Sequence, residues 1–232
     1  RVNAADASLR ARQIPPTEDR AILPAARAAQ AGSVEWKRDP ADWFEFRMPG
    51  SFAAAETPVP EARDGGWTLP ATAQGEGRLL TFEFERQVVG WPAFTIDAPA
   101  GTVVELLPQE AHDPAKTLWM DNHFFAWTRF VCREGVNRFE TFDYESLRWL
   151  QLHVRNASRP VTIRGVGVRR RTAAWPHDPV FRTSETALQR LFDASVNRLL
   201  NSAIETCVDG MGRERQQYSG DGGHQMHAIR AA

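Results

Sequence analysis

Cysteine is scarce: Cys132 and Cys207 are the only two in 232 residues. A disulfide-stapled scaffold is excluded, and two free thiols are expected. Neither sign of charge is in excess. Lys and Arg total 28 against 29 Asp and Glu, a formal net charge of −1, which removes the electrostatic footprint of a nucleic-acid or anionic-membrane partner. No hydrophobic run approaches the roughly 18 residues that a membrane-spanning helix needs. Neither nucleic acid nor membrane is therefore an expected partner. Tyrosine is rare as well. Two Tyr stand against thirteen Phe and eight Trp, rings that serve a β-rich core or, at a surface, the faces of sugars.

The remaining composition, 42% hydrophobic and 25% charged, is enough for one large domain or two small ones. A homo-oligomer stays open. Residues 1–32 are rich in Ala, Arg and Pro and read as a linker or the tail of a preceding domain, with a helical turn over 25–31. Residues 33–174 read as strands. Leu80, Phe82 and Phe84 alternate with Thr81, Glu83 and Glu85 at period two. Gly90, Trp91 and Pro92 break that run, and further runs follow to Val168, with residues 134–137 as a hairpin turn. Many short strands with turns between them predict an antiparallel β-sandwich. From residue 175 the period changes. Leu188, Leu191, Phe192, Leu199, Ala203 and Cys207 repeat near 3.6, predicting one amphipathic helix capped by Ser184 and ended by Gly210 and Gly212. A second helix is expected from near Asp221. The class is α+β multidomain, and two helices do not close a core of their own.

The densest chemistry follows that first helix. Asp209, Glu214 and Asp221 sit in a glycine-studded loop, with Arg213 and Arg215 flanking the middle carboxylate. A loop of this spacing lets three carboxylates face one cleft. Cleavage of a glycosidic bond needs one carboxylic acid to protonate the departing oxygen, and neighbouring carboxylates accept hydrogen bonds from ring hydroxyls. Crowded like charges favour keeping one acid protonated. A solvated, charged turn is the competing reading of the same residues.

The order of these residues resembles that of the bacterial α-L-rhamnosidases, glycoside hydrolase family 78. The similar residues are Asp209, then Arg213-Glu214-Arg215, then Gly220-Asp221. Upstream, the run from Phe82 to Trp91, the Pro99-Ala-Gly-Thr-Val103 turn, and Phe142-Asp-Tyr-Glu-Ser-Leu-Arg-Trp149 resemble that family's β-sandwich. Arg12-Gln-Ile-Pro15 resembles the end of an accessory domain. Gly210-Met211 and Gln217-Tyr218 depart from the family's usual Cys-Pro and Gly-Trp. The resemblance implies an antiparallel β-sandwich (33–174) followed by the first helices of an incomplete (α/α)6 barrel (175–232). It implies an inverting glycosidase acting on rhamnose-containing glycosides or polysaccharides, with Glu214 as general acid. Asp209, Arg213 and Asp221 would bind the sugar, and Tyr218 would supply a ring for stacking. The general base is expected beyond Ala232. The alternative is a non-catalytic carbohydrate-binding sandwich packed on a helical domain.

Two further patterns carry less. Asp221, His224 and His227 fall at i, i+3 and i+6, but no further ligand is near in sequence, so packing or hydrogen bonding is expected of the histidines. No metal and no cofactor is implied. Arg169-Arg170-Arg171 reads as a solvated face. Between Trp119 and Trp127, Phe125 and Trp127 are expected in the core.

Overall fold

The computed structural model of the chain describes residues 17–37, 52–120, 126–173, 180–204 and 206–231. The resemblance at 12–15, Phe125 and the breakpoint at 175–179 lie outside them. Among the described residues the strands are β1 (Glu18–Pro24), β2 (Arg27–Trp36), β3 (Phe52–Thr57), β4 (Gly66–Leu69), β5 (Glu76–Ala98), β6 (Val103–Gln109), β7 (Thr128–Val131), β8 (Gly135–Glu140), β9 (Glu145–Arg155) and β10 (Val161–Thr172). Two helices follow, α1 (Thr186–Ser202) and α2 (Ser219–Ala231).

All strand pairings are antiparallel. One layer runs β3-β2-β5-β9-β6-β7; the other is β1 and β4 on β10, then β5 and β8. The 23-residue β5 belongs to both layers, so the sheet curls over at β5 into a sandwich-like body. Its first half pairs β2 and β9, and its second half pairs β10 and β8. The period-two residues Leu80, Phe82 and Phe84 enter the main core between the layers, with Leu106, Leu150, Ile163 and Val168. The neighbouring Leu79 faces the opposite side, with Val34, Trp36 and Leu107. Aromatic residues here serve packing, as in the stacked Phe130 and Phe139 rings 4.5 Å apart.

Several sequence expectations are corrected. Residues 18–24 and 27–32 are strand, not linker, and 27–31 form no helical turn. Backbone pairing to β5 and β10, reinforced by Arg171 and Asp19 at 2.6 Å, overrides the helical preference of the alanines. Gly90 does not break β5. A Cβ there would lie 2.2 Å from the Arg169 carbonyl oxygen, so only glycine lets the strand pass this closely. Residues 134–137 do not join a hairpin, because β7 pairs β6 while β8 pairs β5. The turn carries the chain between layers. Gly135 takes φ 86° and the Asn137 side chain bonds both Arg133 and Gly135 backbone groups. The basic run is not merely solvated. Arg169 pairs Glu140, Arg171 pairs Asp19, and Arg170 donates to Asn201 Oδ1 at 3.0 Å.

The helix differs too. Its N-cap is Glu185, whose carboxylate accepts from Ala187 N–H, and it ends at Ser202 with the Ala203 N–H still bonded to the Leu199 carbonyl. The chain then reverses through an isolated bridge between Ala203 and Cys207, well before the glycines. Leu188 and Leu191 are 46% and 63% exposed, so among the described residues only part of the expected apolar face is covered, Phe192 by Phe181 and Ala203 by burial.

Candidate functional site

A bulge in β5 builds the floor of the site. In the β5–β9 pairing Glu83 faces Trp149 and Val88 faces Leu147, so residues 84–87 of β5 stand opposite Arg148 alone. Such an insertion frees backbone groups and re-aims side chains. Helix α1 docks on the freed groups. Asn197 and Asn201 donate to the Gln87 carbonyl at 3.1 and 3.0 Å, and Asn201 Oδ1 accepts from Val89 N–H. These two asparagines, one turn apart, replace the lost ladder bonds.

The 209–216 loop sits on this junction. Val208 and Met211 pack on Val89, beside Tyr144 and Ile204. Met211 thus serves as an apolar plug. The loop ends are tied together: Asp209 N–H donates to the Gln216 carbonyl, Gln216 N–H donates to Asp209 Oδ1, and Arg215 N–H donates to the Gly210 carbonyl. Arg198 of α1 donates to the Asp209 carbonyl. Gln225 of α2 donates to the Val208 carbonyl at 2.8 Å.

Arg215 is the clamp. It takes φ 54°, the left-handed region that costs a non-glycine residue about 1 kcal/mol. From there its guanidinium reaches Glu145 Oε2 at 2.7 Å, Asp143 Oδ2 at 3.1 Å and the Tyr144 carbonyl at 2.7 Å, and lies 4.5 Å from the Tyr144 ring centroid. Its Nε donates to the Met211 carbonyl. Burial pushes the Glu145 carboxyl up, and Arg215 acts against that shift. Arg215→Ala should therefore destabilise the protein by about 2–4 kcal/mol, the partial exposure of the pair lowering the figure. The sign with pH is definite. A carboxyl whose folded pKa is raised binds more protons folded than unfolded, so its contribution to stability falls as pH rises from the ordinary carboxylate value through the raised one. Without Arg215 the raised pKa climbs further. Urea midpoints of the variant should drop more steeply between pH 4 and 8 than those of the parent, and Glu145→Gln in the same background should flatten the drop. Parallel pH profiles for parent and variant would contradict this clamp.

The structure brings three predicted residues together. Arg213 Nη2 donates to Glu214 Oε1 at 2.8 Å, and the Glu214 carboxyl stands close enough to the Asp209 carboxyl to perturb it. Burial raises the pKa of Asp209, but bonds from the Gln216 and Gly210 backbone and from Glu214 outweigh it, and the net shift is downward. The Glu214 side chain is 40% exposed, so the acid faces an accessible edge.

The other two predicted residues stand apart. Asp221 lies in the first turn of α2, and Tyr218 just before it accepts the Gly222 N–H on its carbonyl; both side chains are exposed, and among the described residues neither joins the Asp209–Glu214 group. His224 and His227 are exposed, and among the described residues no three His, Cys, Asp or Glu side chains gather in metal-holding geometry. Sequence reasoning missed Glu110, Gln87 and Arg198. Glu110 Oε1 accepts from Gln87 Nε2 at 2.9 Å and from Ser146 Oγ at 2.6 Å, and a Cβ at Gly212 would lie 2.8 Å from it. These residues come from β5, α1 and the end of β6, with no local motif to join them.

No protein-family model matches the sequence, and no curated protein does. Solved structures are similar in fold. A GH78 family rhamnosidase of Bacillus sp. GL1 superposes with a TM-score of 0.67 at 23% identity, over 75% of this chain and 19% of the other. A rhamnosidase from Klebsiella oxytoca, solved with rhamnose bound, gives 0.60 at 18% identity, over 89% of this chain and 39% of the other. Native α-L-rhamnosidase from Aspergillus terreus gives 0.50 at 17% identity, over 74% and 22%. This chain therefore spans well under half the length of each, and what it shares with them is the fold.

Proposed function

We propose that this chain is the sandwich and opening helical segment of a glycoside hydrolase that releases terminal α-L-rhamnose, or a related deoxysugar, from glycosides or polysaccharides. The observation that carries this reading is the carboxyl cluster of the loop: Glu214 is held by Arg213 at 2.8 Å, stands beside the Asp209 carboxyl and faces an accessible edge. The fold shared with rhamnosidases supports the same assignment.

Glu214 passes its proton to the glycosidic oxygen as the bond from that oxygen to the anomeric carbon breaks. Positive charge develops on the ring, in an oxocarbenium-like transition state. A water deprotonated by a general base attacks the anomeric carbon from the opposite face, giving the inverted sugar, and solvent returns a proton to Glu214. Asp209, Arg213 and Asp221 hold ring hydroxyls, with Tyr218 as a stacking ring. The base, and the helices that complete an (α/α)6 barrel, are assigned outside this chain. The exposed, separate positions of Asp221 and Tyr218 favour a second reading, a sandwich that binds carbohydrate without cleaving it.

The test is hydrolysis of an aryl α-L-rhamnoside by the intact protein, followed by NMR of the first-formed sugar. The β-anomer is expected before mutarotation. Release of the α-anomer first would refute inversion, and rhamnose binding with no hydrolysis would establish the second reading.

A further inference from the structure

A cleft of about 610 Å3 runs between the β5 bulge and α1, and a second of about 330 Å3 opens against Gly210, Met211, Gly212 and Arg213. Both are lined by Gln87, Glu110 and Arg198. They form one groove that ends at the turn bearing Glu214. Its chemistry is one-sided. In the larger part, nine of ten lining residues carry a charged or amide side chain, the tenth is Ala194, and no aromatic ring is present. A flat aryl aglycone would find nothing to stack on. A polyhydroxylated partner would find acceptors and donors alternating along its length.

From this geometry we infer that the groove is a leaving-group subsite for a saccharide, with Glu110 as its anchor; the inference rests on the glycosidase reading above. Glu110 is preset for that task. Gln87 and Ser146 both donate to Oε1, which fixes the carboxylate and leaves Oε2 as the oxygen available to sugar hydroxyls. Gly212 makes room for it, since a side chain there would meet the carboxylate. From the helix side, Arg190 lines the same groove and donates to hydroxyl oxygens. Arg190 is exposed and stands outside the Gln87–Ser146 network.

The intact protein should be assayed on two substrates, rhamnose α-linked to a hexose and an aryl α-L-rhamnoside. The parent should favour the disaccharide in kcat/KM once the different leaving abilities are corrected with the free phenol and sugar pKa values. Glu110→Gln should cut the disaccharide-to-aryl ratio about tenfold, mostly through KM, as expected for losing a charge-assisted hydrogen bond. Arg190→Ala, which leaves the Glu110 network intact, should lower the ratio in the same direction. An unchanged ratio in both variants would overturn the subsite while leaving the glycosidase reading standing. Failure of the parent to cleave either substrate would overturn both.

Discussion

Replacing Glu214 by Gln in the intact protein should lower kcat on a rhamnoside with a poor leaving group by about 10^2–10^4-fold, the usual worth of a positioned general acid. KM should change little. The amide keeps the shape of the carboxyl and can still accept from Arg213, so sugar binding survives. It has no acidic proton to deliver. Asp209→Asn is the informative companion. It removes the carboxylate charge that stands beside Glu214, yet an amide oxygen can still accept from Gln216 N–H. Its effect should therefore appear as a changed pH–rate profile more than as loss of fold. Steady-state kinetics across pH checks both. A Glu214→Gln variant with full kcat would remove the assigned acid.

Glu105→Ala should cost about 3–5 kcal/mol of stability. Its carboxylate is wholly buried on β6 and is held by Arg129 from β7 at 2.8 Å and by Arg155 from β9 at 3.1 Å. Arg129 stands directly across the ladder from Glu105, and Arg155 stands across from Val103. One carboxylate therefore stitches three adjacent strands. Removing it takes from the Arg155 guanidinium, 8% exposed, an ion-pair partner at 3.1 Å, and removes the carboxylate that ties the three strands together. Replacing Glu105 and Arg155 together with apolar residues of similar volume should cost less than Glu105→Ala alone. Urea denaturation measures this, with a midpoint drop of about 1–2 M expected for slopes of about 2–3 kcal/mol per M. A single-variant loss below about 1 kcal/mol would show that the buried charges do not depend on one another.

What was legible in the sequence follows the physics of each element. The period-two pattern through Leu80, Phe82 and Phe84 reads as strand because one face meets a continuous core. β1 is not legible, because its side chains are nearly all exposed and the strand exists through backbone pairing to β10. The 27–31 alanines carry helix propensity that tertiary pairing overrides. The break read at 90–92 fails because glycine here serves close strand passage instead of a turn. At the site, Asp209, Arg213 and Glu214 were legible because they lie within six residues, and the loop that ties Asp209 to Gln216 sets Glu214, bonded by Arg213, beside it. The flanking arginines divide their work in a way the spacing does not reveal. Arg213 holds Glu214, whereas Arg215 turns away to clamp Glu145. Glu110 and Arg198 reach the site only through the β5 bulge and the docking of α1, and no local pattern announces either.

The most direct measurement is the leaving-group dependence of Glu214→Gln. Two aryl α-L-rhamnosides would be compared with the intact protein, one whose phenol departs only when protonated and one whose nitrophenolate departs unaided. If Glu214 delivers the proton, the variant loses about 10^2-fold or more on the first and less than about 10-fold on the second. Equal losses on both would mean that position 214 supports structure or binding and donates no proton.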